Sequence, residues 1–136
     1  MDNRTFIDRV MAAVPVGTVL PNPGGGNSIV LSINGTHIGY RRGASRLTAR
    51  FGDLYRAYAK YRGQTVSTTQ LRLWEPGIFD SDHGGHSCHS TFLFMVLKEI
   101  GVADAMRGRG KRGDPFCVYI HEDANDELSA RTSIGG

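Results

Sequence analysis

Disulfide frameworks, membrane spans and low-complexity tracts are all missing from this sequence. Two cysteines, Cys88 and Cys117, occur in 136 residues; they are too few to staple a fold, and such usage suits a reducing compartment. No apolar run approaches the roughly 18 residues that a membrane-spanning helix needs. The longest, Phe92 to Leu97, has the length of a buried core element. The opening residues MDNRTFIDR are charged and hold no apolar leader core, so a cytoplasmic location is expected. Acidic and basic residues nearly cancel, 13 against 16, for a formal charge of +3. Net charge therefore excludes little, and its distribution decides more. Apolar residues at 40% and charged residues at 21% exclude a disordered chain.

Glycine, by contrast, is abundant and falls at turns. Phe6, Ile7, Val10, Met11 and Val14 recur at helical spacing, which predicts an amphipathic helix over 3–14, capped by Asp2 or Asn3 and stopped by Pro15. Residues 21–28, PNPGGGNS, read as a loop. SIVLSI and THIGYRR flank Asn34-Gly35, the favoured pair for a type I′ hairpin. SRLTARF then alternates apolar and polar residues as a third strand. Residues 52–63 predict a helix with Leu54, Tyr55, Tyr58 and Tyr61 on one side and Gly63 at its end. An extended piece over 65–67 leads to a second helix at 68–74, a glycine-rich loop at 77–87 and a third helix at 90–100. Residues 102–120 read as two strands around a basic turn. The expected fold is one α+β domain over 1–121: a helix and three-stranded antiparallel meander (1–51), then a helical half with a C-terminal β-hairpin (52–121). A polar tail, 122–136, follows.

From residue 53 onward the order helix, short strand, helix, loop, helix, β-hairpin resembles the winged-helix domain. The resemblance is topological, covers about half the chain and rests on no signature motif. It implies binding to double-stranded DNA, as in bacterial restriction, repressor and mobile-element proteins, in a fold that also serves protein contacts.

The charge distribution points the same way. Between 41 and 62 lie Arg41, Arg42, Arg46, Arg50, Arg56, Lys60 and Arg62, opposed by Asp53; between 107 and 112 lie Arg107, Arg109, Lys111 and Arg112 with no acid. Neutralising phosphates needs cations segregated in this way. In RGRGKRG, glycines let the backbone approach a phosphate while arginines fork onto its oxygens. Arg107, Arg109, Lys111 and Arg112 are expected to grip phosphates, with Arg41, Arg42 and Arg46 extending the basic surface. Gln70 and Arg72, beside Thr68 and Thr69, are expected to reach base edges, because the third helix is apolar nearly all round and suited to burial. Tyr40 is a candidate for stacking on a base, whereas the spacing of Tyr55, Tyr58 and Tyr61 suits core packing.

The loop over 80–90 offers a second chemistry. His83, His86, Cys88 and His89 are zinc-ligand types, with Asp80 and Asp82 alongside and Cys117 available from a distance. The spacing H-x2-H-x-C-H matches no standard site, and adjacent Cys88 and His89 seldom both ligate. A turn capping the third helix through Ser87 or Ser90, with Cys88 buried and no cofactor, accounts for the same residues. A thiol nucleophile at Cys88 lacks an orienting acid, and Gly24-Gly25-Gly26 lacks the Lys of a P-loop. The sequence thus favours non-catalytic binding of duplex DNA through its backbone. Its rivals are a small metal-dependent nuclease or hydrolase built on the 80–90 loop, and a protein-binding module of a phage or mobile element. The apolar third helix suits a monomer core or a homodimer interface equally.

Overall fold

The N-terminal helix forms because the Asp2 carboxylate accepts from the Thr5 backbone N–H at 2.8 Å, satisfying a donor that the first turn leaves open. In the computed structural model, which describes residues 1–122, α1 spans Asn3–Ala13 and buries Phe6 and Val10. Four strands follow, β1 (Val19–Pro21), β2 (Asn27–Ile33), β3 (His37–Arg42) and β4 (Ser45–Arg50), as an antiparallel sheet in sequence order. The sheet has one strand more than the three expected. β1 is short, and the tight Asn22–Gly26 turn returns it to β2, with the Asn22 N–H donating to the Gly26 carbonyl at 2.9 Å.

The β2–β3 connection differs from the type I′ turn expected. That turn needs positive φ at both central residues, and neither Asn34 nor Gly35 has it. The register differs instead, with Ile33 paired to Ile38, and the Asn34 side chain closes the turn. Its Oδ1 accepts from the N–H groups of Thr36 at 2.9 Å and His37 at 2.8 Å, the local bonding that suits Asn to turns. A register shift between Val30 and Ser32 accompanies it.

The second half packs helices against this sheet. α2 (Phe51–Tyr61) begins where β4 ends and buries Phe51, Leu54, Ala57, Tyr58 and Tyr61. After β5 (Thr65–Ser67), α3 (Thr68–Trp74) opens on a capping box: Ser67 Oγ accepts from the Gln70 N–H, and Gln70 Oε1 from the Ser67 N–H. The expected loop after Pro76 contains a further short helix, α4 (Pro76–Phe79), and a 3-10 turn at Ser81–His83. α5 (Cys88–Glu99) is buried at every position from His89 to Leu97, as its all-round apolarity demands. Its last turn ends at Gly101, whose φ of 81° only glycine adopts freely.

Residues 102–120 form a looser hairpin than expected. Its second limb contains β6 (Cys117–Tyr119), which pairs antiparallel with β5. The first limb is irregular and meets the second through single bridges, Ala103 with Ile120 and Arg107 with Cys117. One hydrophobic cluster runs from Phe6 through the sheet and α5 to Ile120. The tail beyond Glu122 lies outside the described residues. Among the described residues, no helix is long and apolar enough to cross a membrane.

Candidate nucleic-acid interface

Strand alternation divides the arginines of the meander between two faces. Ile38 and Tyr40 point into the core, and Arg42, two residues on, leaves β3 on the same side. Its Nη1 donates to the Thr91 hydroxyl of α5 at 3.1 Å. Arg41 and Arg46 face one another across β3 and β4 on the opposite, exposed face. The sequence cluster is therefore not one surface: Arg42 belongs with the helices, while Arg41 and Arg46 look outward.

Arg42 stands on a cleft of about 570 Å³, joined there by Arg72 from α3 and by Lys111 and Arg112 from the hairpin turn. Four cations from three separate segments thus converge, and no carboxylate lines the cleft. Among the described residues none of the four has an ion-pair partner. Phe79 and Phe116 give the cleft an apolar side, and Thr68, Thr69, Ser87, Ser90 and Thr91 give it hydroxyls. The negative charge of Asp80 stands near Arg72. Its carboxyl is held below the usual carboxylate range chiefly by the Asp82 backbone N–H, with smaller help from His83 and Arg72.

The other expected contacts are placed differently. Arg109 Nε lies 2.9 Å from Asp114 Oδ2, so its charge is partly met within the turn. Arg107 pairs with Cys117 through its backbone, N–H to carbonyl at 2.9 Å in both directions. Its side chain is exposed and does not line the cleft. Gln70 spends its side-chain carbonyl on the capping box. The glycines of RGRGKRG serve the fold itself: Gly108 and Gly110 have φ of 91° and 69°. A Cβ at Gly110 would overlap the Phe116 ring, and one at Gly108 would overlap the Pro115 carbonyl. Tyr40, expected as a stacking platform for a base, is fully buried. Its ring stacks on Phe92 with centroids 3.8 Å apart.

The first turn of α5 points into the cleft. Ser87 occupies the N-cap position without capping the helix. Its Oγ accepts instead from the Ser81 hydroxyl at 3.1 Å, and the first-turn N–H groups of His89 and Ser90 donate to the His86 and Ser87 carbonyls at 3.0 and 3.3 Å. Ser90 is 2% exposed, lines the cleft, and its hydroxyl has no hydrogen-bond partner among the described residues. In the sequence Ser90 stood out as a candidate helix cap and not as a cleft residue, and Thr91 did not stand out. Thr91 meets Arg42 across 49 residues, and no local spacing announces such a contact.

The histidine-rich loop does not assemble a metal centre. His83 Nδ1 binds Asp80 Oδ2 at 2.8 Å, Cys88 lines the cleft, and His89 turns inward to place Nδ1 2.7 Å from the Tyr40 hydroxyl. Burial, reinforced by His86, pushes the His89 imidazole down to about 4, against a smaller opposing effect of a backbone hydrogen bond to Thr48. Among the described residues, no three His, Cys, Asp or Glu side chains converge as metal ligands. Cys88 and His89 part because successive residues of a helix are turned by about 100°, and His83, which precedes α5, is held by Asp80. No protein family, curated protein or solved structure matches this chain, so the case for its function rests on the α+β fold and the cleft described above.

Proposed function

We propose that this protein binds nucleic acid without catalysing a reaction, holding double-stranded DNA mainly by its phosphates. The observation that carries the reading is the convergence of Arg42, Arg72, Lys111 and Arg112 on one hydroxyl-lined cleft free of carboxylates. Unopposed cations cost stability through mutual repulsion, and a bound polyanion removes that cost while releasing its condensed counterions. The connectivity supports a winged-helix reading: α2, β5, α3 and α5 precede a hairpin whose second strand pairs with β5, and its basic turn stands as the wing. In that reading α5 would take the role of the recognition helix, but it is buried along most of its length. Base reading in the major groove is therefore absent from this proposal, and sequence preference is expected to be weak.

The competing nuclease reading loses its support because the loop ligands diverge. A protein-binding role would use the same cleft for an acidic segment. The test is a Lys111→Gln/Arg112→Gln variant titrated with a labelled random duplex at several salt concentrations. Both side chains are exposed, so the fold should survive. The log–log salt slope should flatten by about 2 × 0.9, with similar losses for unrelated sequences. An unchanged slope would overturn the assignment.

A further inference from the structure

The floor of the cleft has a feature that backbone gripping does not need. Ser90 is buried to 2% exposure, its hydroxyl unpartnered among the described residues, and it lines the cleft beside Thr91 at the first turn of α5. A hydroxyl at the floor of a cleft, with no partner within the protein, is free to donate to an oxygen of whatever enters the cleft. The positive end of the α5 dipole stands at the same place, with its His89 and Ser90 N–H groups already met by backbone carbonyls. Arg42 closes the floor from the sheet side through Thr91, and Arg72, Lys111 and Arg112 form the walls.

From this we infer that the floor of the cleft is a pocket for a terminal phosphomonoester, the phosphate at a nucleic-acid strand end, while internal phosphodiesters meet the cations at its rim. The inference rests on the nucleic-acid reading of the cleft. A duplex is a convex cylinder and its bridging phosphates lie on that surface, so they reach the rim of a concave site and not a hydroxyl at its floor. A terminal phosphate projects from the strand and can enter. It also carries close to two negative charges at neutral pH, against one for a bridging phosphate, which suits four cations with no lining acid. Phe116, half-buried on the apolar side, offers a surface for the terminal nucleoside. A free nucleoside monophosphate presents the same chemistry, and the test separates the two sources.

The experiment compares DNA duplexes of one sequence by fluorescence anisotropy: a hairpin with a 5′-phosphate, one with a 3′-phosphate, one with hydroxyl ends, and a closed dumbbell without ends. Adenosine 5′-monophosphate alone is titrated by calorimetry. A phosphorylated end should bind at least about tenfold tighter than the hydroxyl end, and the dumbbell should match the hydroxyl end. Ser90→Ala, a change that favours helix, should shrink that preference to about threefold or less. Equal affinity for all four duplexes would overturn the inference and leave the nucleic-acid reading standing. Binding of the mononucleotide that depends on Ser90, with no duplex bound, would keep the phosphomonoester pocket and overturn the nucleic-acid reading. A preference for phosphorylated ends that survives Ser90→Ala would overturn the assignment of the floor.

Discussion

Lowering the pH should unload the buried His89 from the fold by an amount that can be worked out. The ring is 5% exposed, with Nδ1 at the Tyr40 hydroxyl and a backbone hydrogen bond to Thr48. In the neutral tautomer Nδ1 accepts from the tyrosine while the other nitrogen donates, so both are satisfied. Protonation makes Nδ1 a donor and places charge in the core, close to the His86 ring at 5.1 Å. The native imidazole therefore titrates near 4, whereas in the unfolded chain it titrates near 6.5. Between those values the unfolded chain holds a proton that the native state does not, so stability falls as pH falls. The gap amounts to about 3 kcal/mol, lost between pH 6.5 and 4 and constant below that. The assay is denaturant unfolding at pH 7, 6, 5 and 4 for the native chain and for His89→Gln. Glutamine keeps a donor and an acceptor but does not titrate, and the contributions of other groups cancel in the difference. The native chain should lose about 3 kcal/mol more than the variant over this range. Parallel pH dependences in the two proteins would refute the reasoning.

Two further substitutions separate folding roles from binding roles. Gly110→Ala should destabilise the protein by about 1–3 kcal/mol, because it combines positive φ with overlap on the Phe116 ring; a lowered Tm measures it, and an unchanged Tm would show that the turn is not built as described. Arg41→Gln/Arg46→Gln, on the outer face of the sheet, should flatten the salt slope of duplex binding by less than half as much as Lys111→Gln/Arg112→Gln, and should raise Tm slightly by relieving the facing like charges. An equal or larger loss of slope would move the interface to the outer face.

Much of the fold was legible because its signals are local. The apolar spacing of Phe6, Val10 and Val14, the alternation in β4, and the continuous apolarity of α5 each specify an element without reference to the rest of the chain. The Ser67–Gln70 capping box was also present in the sequence as S-x-x-Q, and it explains why α3 begins where it does. What local patterns did not give was which partners the side chains take. Asn34-Gly35 has the composition of a type I′ turn, but the Asn34 side chain closes another geometry. Tyr40 sits next to two arginines in sequence, yet strand alternation buries it. The basic stretch at 41–46 reads as one cluster, but the same alternation sends Arg42 to the cleft and its neighbours outward. The cleft draws on β3, α3, α5 and the hairpin turn, and pairings at such separation are set by tertiary packing.

The most direct test of the central claim is anisotropy of a labelled random duplex titrated with the unmodified protein from low to moderate salt. Four cleft cations predict binding at low salt that weakens with a log–log slope between about −3 and −4. Absence of binding even at low salt, or binding indifferent to salt, would contradict the account.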